Sequence, residues 1–434
     1  MWGRKRDKMA GKGGSRFGLR AKLLLAAALV ALLFVRVDTF HITPARAVAS
    51  SYLFSIEEWE VINFPRKWLN MLWGILPGGG ASREERLAQL DEYLLVARRV
   101  EKEETRLEGP YASGSLTQGS GAAKEKGPPS RDYLNELVAE KDRLRAGAEE
   151  TVEAELSAVL IDEGFGSRFN LIFPPVDIRF DQPPTMLIVS PRDRIELIDA
   201  VMLHPDIPGF ERDQIETKML DDYNLSALVD NLAGLSTFPS LVSDLQQLRS
   251  VLQTSAHEWL HSFFFLRAFG QNDRASEEMF TLNETVADLA GRELGDTTFA
   301  QMGGDLSIAS SRYLSREKSD PTLAREMRET RLQAEELLAE GKVEEAEQYM
   351  KERLWRLRLG GYRIRKLNQA YFAFRGRYAE GPASVSPIGQ QVIEFRGLFP
   401  NVASFVKTVS GVSSYQEFLG LLERLKSQAA TTSP

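Results

Sequence analysis

The chain has 434 residues, of which 43% are hydrophobic and 26% are charged, an ordinary composition for a globular protein with room for two or three domains. Its net charge of -7 is unevenly distributed, because residues 1–22 carry eight Lys and Arg against one Asp and leave -14 for the remainder, which argues against nucleic acid as a partner. The absence of cysteine excludes a disulfide framework and thiol catalysis.

The amino-terminal region, residues 1–47, is predicted to be a membrane segment. The basic start precedes an uninterrupted apolar run, Leu23–Val35, which is short for a spanning helix and normal for a signal-peptide core. The Ala45-Arg46-Ala47 tripeptide fits cleavage by signal peptidase, whereas Lys22 and Arg36 can snorkel and let the run span uncleaved. We favour an uncleaved single-pass anchor with the remaining chain outside the cytoplasm. Secretion after cleavage is the alternative.

The next two regions are predicted to be helical. Residues 48–80 combine apolar and cationic residues with three tryptophans: Trp59, Trp68 and Trp73. This pattern is typical of a helix lying in a membrane interface, and a helix packed on the main domain is equally compatible. Residues 81–163 show helical spacing on both sides of a Gly-, Ser- and Pro-rich stretch at 109–130, which predicts a helical hairpin with a disordered linker.

A main domain is predicted over residues 164–320. Short strand-like runs interrupted by prolines predict a small sheet: Val176–Phe180, Met186–Ser190 and Ile195–Met202. After a polar helix near 209–222, Ser226–Phe238 with Gly234 is interpreted as another strand or extended segment. It leads into a long amphipathic helix over Ser243–Leu266.

This long helix contains the sequence His257-Glu-Trp-Leu-His261, which holds two of the four histidines in the chain. On a helix the two imidazoles lie one turn apart on one face, about 6 Å along the axis, and form half of a zinc site. Glu258 lies beside the position of a bound water, where a general base is required. The alternative is that this sequence is an ordinary helix segment, because so short a motif also occurs in proteins without a metal site.

A second helix is predicted to complete the site. The segment Thr281-Leu-Asn-Glu-Thr-Val-Ala-Asp288 carries carboxylates one helical turn apart. Glu284 is the predicted third zinc ligand, and Asp288 is predicted to accept the free ring N–H of a ligand histidine. In the alternative, Thr281 and Glu284 form a capping box and Asp288 is a solvated helix residue.

Residues 321–434 are predicted to form a helical domain. The stretch Tyr362–Tyr378 contains the best candidates for a donor that stabilises the transition state. Tyr371, expected in the middle of a helix, is the first choice, and Tyr378 is the reserve. Packing of these aromatic side chains in the core is the alternative.

The combination of HEWLH with NETVAD resembles the gluzincin metallopeptidases, the thermolysin-like and aminopeptidase-like zinc enzymes. It is similar, more narrowly, to bacterial membrane-anchored proteins of that clan, over about residues 169–300. The resemblance implies His257, His261 and Glu284 as zinc ligands, Glu258 as base and proton shuttle, and Asp288 behind the ligands. No Gly-x-Met-Glu-Asn type segment precedes the motif, so the glutamate that grips a substrate amino terminus in many aminopeptidases is not evident.

We therefore expect an α+β, mostly helical zincin-like domain with a small sheet, joined to an amino-terminal membrane segment and a helical hairpin. The expected activity is hydrolysis of a peptide or protein substrate at the outer face of the membrane with Zn²⁺ as cofactor. The alternative is a membrane-anchored scaffold or interaction protein that binds zinc without turnover.

Overall fold

Helices dominate the protein, and two small sheets complete it, which confirms the α+β prediction. The computed structural model describes residues 42–61, 82–108, 130–307, 321–379, 381 and 383–432. The predictions for Leu23–Val35, Trp68, Trp73 and nearly all of the 109–130 linker lie outside the described residues. Within the described residues, no helix combines the length and the apolar character that crossing a membrane requires.

The helices are numbered here in chain order, and a 3₁₀ turn at Ser50–Tyr52 follows the first of them. They are α1 (Pro44–Val48), α2 (Arg83–Glu108), α3 (Arg131–Asp162), α4 (Gly209–Tyr223), α5 (Leu248–Phe265), α6 (Ala268–Gln271), α7 (Glu277–Gln301), α8 (Pro321–Ala339), α9 (Val343–Leu359), α10 (Gln369–Arg375), α11 (Ile388–Arg396), α12 (Val402–Val409) and α13 (Tyr415–Thr432). The predicted hairpin is formed by α2 and α3, which pack along each other.

The strands form two sheets of three. They are β1 (Ile178–Phe180), β2 (Thr185–Pro191), β3 (Asp199–Leu203), β4 (Leu225–Asn231), β5 (Gly234–Leu235) and β6 (Ser240–Val242). One sheet has the order β3-β2-β4 and is antiparallel throughout. The other has the order β1-β6-β5, with β1 and β6 parallel and β5 antiparallel to β6.

Side chains and a short chain segment cover three of the four sheet edges. Glu149 and Glu153 of α3 accept hydrogen bonds from backbone N–H groups of β1 at 2.9 and 2.8 Å. Glu216 of α4 accepts from the N–H of Val229 in β4 at 2.6 Å. Residues 52–54 pair with the end of β3. Among the described residues, no strand pairs with the free edge of β5.

The largest hydrophobic core joins the hairpin to α5, α7 and the carboxyl-terminal helices α11, α12 and α13. Its members on α7 include Leu282, Val286 and Leu294, which are fully buried. The β3-β2-β4 sheet lies between α1 and α4 on one face and α10 on the other. The core thus encloses α5 and α7, the two helices that were predicted to carry the metal ligands.

Several element boundaries differ from the sequence-based prediction. The stretch Ser226–Phe238 is divided into two strands, β4 and β5. The residues Ser240–Val242 form a third strand, the parallel partner of β1, and α5 begins later than predicted, at Leu248. The capping-box alternative for Thr281 is wrong, because α7 begins one turn earlier with Ser276 as its N-cap, accepting from Met279 N–H. Glu284 is therefore free of any capping role.

The helix predicted around Tyr371 is also shorter than expected. Asn368 caps α10 by accepting from Tyr371 N–H at 2.9 Å, so Tyr371 lies in the first turn of a seven-residue helix and not in the middle of a long one. The side chain of Asn368 also donates to the carbonyl of Ala227 in β4, so the start of α10 is attached to the sheet. The same strand binds Arg365 through the carbonyl of Val229.

Candidate metal centre

The two histidines of α5 and Glu284 of α7 meet at one point. The Nε2 atoms of His257 and His261 are 2.9 Å apart, and each lies 3.6 Å from an oxygen of Glu284. These three side chains are the only group of three or more His, Cys, Asp or Glu residues in the described chain with donor atoms close enough to share a metal ion. The structure thus brings together the three predicted ligands.

The spacing of these atoms fits a metal ion of zinc-like size. With bonds of about 2.1 Å and tetrahedral angles, neighbouring ligand atoms are about 3.4 Å apart. The observed separations of 2.9, 3.6 and 3.6 Å bracket that value. Small rotations of the side chains are therefore sufficient to hold an ion, with no movement of the helices.

The close approach of α5 and α7 depends on two glycines of α7, one turn apart. A methyl group placed on Gly291 would lie 3.0 Å from both Cα and N of His257. One placed on Gly295 would lie 2.5 Å from Cα of Gln253. Backbone atoms cannot yield as a flexible side chain can, so any larger residue here separates the helices. The pair of glycines sets the distance between the histidines and Glu284.

Burial and charge act in opposite directions on the two histidines. Burial lowers the pKa of His257, but the hydrogen bond that its ring donates to Glu284 and the negative charges of Glu258, Glu284 and Asp288 outweigh it and raise the value to about 9. Burial lowers the pKa of His261 to about 4, with the positive charge of His257 adding to the effect. Without a metal, His257 is therefore protonated and His261 neutral at neutral pH, in agreement with the short contact between the two Nε2 atoms.

Glu258 is buried beside this pair, with 7% of its surface exposed. Burial raises its pKa to about 7, against the lowering effect of the charge on His257. Strand β5 crosses directly over it, because a methyl group on Gly234 would collide with Oε1 of Glu258. Ser236 fixes this crossing by donating to the carbonyl of Glu258 at 3.1 Å. A larger residue at position 234 would displace the Glu258 side chain from its present position.

Asn283, which sequence reasoning did not single out, is the hydrogen-bond partner of His261. It is buried, and its Nδ2 has no partner in the described part of the chain, so its amide oxygen accepts from the imidazole. Asp288 was predicted to be such an acceptor for the ring N–H of a ligand histidine. Its charge acts on His257, and its carboxylate is 3.9 Å from the guanidinium of Arg292. The signal that could have identified Asn283 is its position next to Glu284, because a ligating histidine usually has a further hydrogen-bond partner nearby.

Both candidate tyrosines are half-buried and pack against the same hydrophobic cluster beside the β3-β2-β4 sheet. Tyr371 and Tyr378 each contact a phenylalanine ring edge-on, at 5.6 and 5.7 Å between ring centres. Burial raises the pKa of Tyr378 well above the usual value, and the negative charges of Glu284, Glu258 and Asp288 raise it further. Its hydroxyl therefore keeps its proton at physiological pH and can donate a hydrogen bond.

Arg377 is a further cation near Glu284 that the sequence did not reveal. Its guanidinium carbon lies 3.5 Å from the ring centre of Phe280, one turn before Glu284 on α7. Burial lowers the pKa of Arg377, and the charges of Glu277 and Glu284 oppose the effect. The negative charge of Glu284 thus acts on two side chains of the segment after α10, Arg377 and Tyr378.

Comparisons with known proteins give no relative for this chain: no family model, no curated protein and no solved structure matches it.

We expect Gly291→Ala to weaken metal binding about tenfold or more, because the added methyl group displaces α7 from the backbone of His257. Equilibrium titration with a competing chromophoric chelator measures the dissociation constant. The matched control is Gly420→Ala in α13, where the nearest atom is a flexible arginine nitrogen at 3.5 Å. Unchanged affinity in Gly291→Ala, with the control also unchanged, would contradict the role of the helix contact.

We also expect metal affinity to depend on pH. His257, with its pKa raised to about 9, must lose a proton before it can coordinate an ion, so the proton competes with the metal below that pH. The association constant should rise about tenfold per pH unit from neutrality and level off above pH about 9. Calorimetry in two buffers of different ionisation enthalpy would show the release of one proton. An affinity that is constant over this range would show that His257 is already neutral.

Proposed function

We propose that the chain is a zinc-dependent peptidase of gluzincin type, with a zincin-like fold around α5 and α7. His257, His261 and Glu284 hold the ion, and Glu258 is the general base. The observation that carries the proposal is the juxtaposition of three convergent ligand atoms with a buried carboxylate of pKa about 7. A purely structural metal site does not require such a carboxylate.

A bound zinc ion would supply a Lewis acid that makes water more acidic and polarises a carbonyl group. The protein contributes the proton transfers. A carboxylate with pKa near 7 accepts a proton readily at neutral pH and releases it again, as the base and then the acid of peptide hydrolysis must. Glu258 is buried under β5, which shields the base from bulk water on that side.

Strand β5 supports a peptide as the substrate. An extended peptide can bind by adding a strand to a free sheet edge, with its backbone supplying the hydrogen bonds. The edges of β1, β4 and β3 are covered, whereas the described chain leaves β5 open where it crosses Glu258. A peptide on that edge would run directly past the general base.

Tyr378 is the donor that we favour for the developing oxyanion. Its hydroxyl remains protonated, and the negative charges of Glu258 and Glu284 act on it. The hydroxyl of Tyr371, the first choice from the sequence, is the alternative, since both rings pack against the same hydrophobic cluster. Both remain testable by removal of the hydroxyl alone.

We propose further that the catalytic unit works at the outer face of a membrane, with residues 1–47 as an anchor or as a signal peptide that is removed. The support is the sequence pattern alone, eight cations followed by the apolar run Leu23–Val35. Protease accessibility of the carboxyl-terminal region in intact cells distinguishes the two sides of the membrane.

We expect Glu258→Gln to retain one zinc per chain and to lower the hydrolysis of a peptide library by about 100-fold or more, because the amide cannot accept the proton. Mass spectrometry of the library measures cleavage, and elemental analysis measures zinc. The matched control is Glu150→Gln on the exposed face of α3, which should change neither.

Two outcomes would contradict the proposal. If the wild-type protein binds equimolar zinc and cleaves no member of the library, the alternative of a zinc-binding scaffold is favoured. If protein purified without chelators contains no zinc and gains none on titration, both functions fail.

We expect Tyr378→Phe to reduce kcat by about tenfold or more while KM and zinc content stay close to the wild-type values, since the hydroxyl acts on the transition state. Tyr371→Phe is the comparison, because the two variants lose the same group from the same segment. A loss of turnover confined to Tyr371→Phe would restore that residue as the donor and remove Tyr378.

A further inference from the structure

Three large apolar side chains protrude from the turn between α3 and β1. Phe169, Leu171 and Phe173 are 85%, 66% and 69% exposed, although they lie within five residues of one another. Isolated exposed apolar residues are common, but a contiguous group on one projecting turn indicates an interaction site. The residues between them, Asn170 and Ile172, do not cover these side chains.

Four hydrogen bonds stabilise the backbone of this turn. The side chain of Ser167 accepts from the N–H groups of Phe169 and Leu171 at 3.3 and 3.1 Å. Asn170 N–H donates to the carbonyl of Ser167 at 3.0 Å, and Ser167 N–H to the carbonyl of Leu171 at 2.9 Å. The two following residues, Pro174 and Pro175, have no N–H group. The turn can therefore leave water without exposing unpaired amide donors at its tip.

The turn is also fixed to the body of the protein. The indole N–H of Trp259 in α5 donates to the carbonyl of Pro174 at 2.9 Å. The ring of Phe165 packs edge-on against Trp259 and Phe263, with ring centres 5.2 and 5.4 Å apart. The exposed apolar side chains are thus presented by a braced support, and their position is set by α5.

Cations surround the base of the turn. Arg168 is exposed on the turn itself. Lys407 lies 5.8 Å from the ring centre of Phe165, and the guanidinium carbon of Arg267 lies 3.4 Å from that of Phe263. The adjoining end of α3 carries the carboxylates Asp162 and Glu163, so cations exceed anions by one. Apolar tips with cations behind them are typical of segments that enter a membrane interface.

We propose that the turn at residues 167–173 inserts Phe169, Leu171 and Phe173 into the surface of a lipid bilayer that contains anionic lipid. A bilayer accepts a convex apolar tip of any outline, whereas a protein partner must supply a matching groove. The paired N–H groups of residues 169–171 at the tip also favour lipid, because these groups require no hydrogen bonds from the occupant. The inference does not depend on the metal chemistry.

Because the chain has no cysteine, a single introduced thiol can be labelled uniquely in the full-length protein. We choose Leu171→Cys for the turn and Leu359→Cys at the end of α9 as the matched control, since Leu359 is 83% exposed and distant in sequence. Each variant carries a nitroxide and is reconstituted with vesicles of phosphatidylglycerol and phosphatidylethanolamine. Paramagnetic relaxation by oxygen and by a water-soluble nickel chelate measures the depth of each label.

We expect the label at position 171 to gain accessibility to oxygen and to lose accessibility to nickel several-fold when vesicles are added, and the label at 359 to remain in water. Adding Phe169→Ser and Phe173→Ser to the Leu171→Cys variant should return its label to the aqueous phase. Equal nickel accessibility at 171 and 359 in the presence of vesicles would overturn the proposal. Loss of nickel accessibility at 171 before lipid is added would overturn it as well, because it indicates a second copy of the chain as the occupant.

Discussion

The contact between α5 and α7 is the constraint on which the candidate site depends. Two glycines, Gly291 and Gly295, let the helix backbones approach until His257 and Glu284 can share an ion. A metal site of this kind requires an interhelical distance within a few tenths of an ångström, which flexible side chains alone do not specify. The surrounding core of α2, α3, α11, α12 and α13 holds the two helices at that distance.

The same contact brings several ionisable side chains together in a buried environment. Glu258, Glu284 and the two histidines are all largely buried, and burial disfavours each of their charged forms. The cluster stays balanced because His257 keeps a proton and Glu284 keeps its negative charge, with its pKa lowered by both histidines despite burial. A divalent ion in place of that proton would preserve the favourable pairing with Glu284, as the proposed metal site requires.

The sequence predicted the features that follow from local spacing. A helix places His257 and His261 one turn apart, and the amphipathic pattern of residues 243–266 identifies that helix. The α+β composition and the hairpin of α2 and α3 follow in the same way. The capping-box alternative is wrong because Ser276 is an earlier N-cap, so that Thr281 lies inside the helix.

Contacts between distant segments could not be predicted, because one sequence carries no record of them. Gly234 over Glu258 and Asn283 behind His261 result from packing, although an isolated glycine in a strand signals close approach of another group. The position of Tyr371 depends on where α10 begins, which Asn368 determines through its capping contact and its bond to β4.

The helices α11, α12 and α13 follow α7 late in the sequence, and this separation affects folding during synthesis. All three pack in the same hydrophobic core as α7, so a nascent polypeptide that ends before residue 388 lacks part of the packing around α7. The contact between α5 and α7 can therefore gain its full support only after residues 388–432 have been synthesised. The helices that carry the three candidate ligands are made first, and the residues that brace them arrive last.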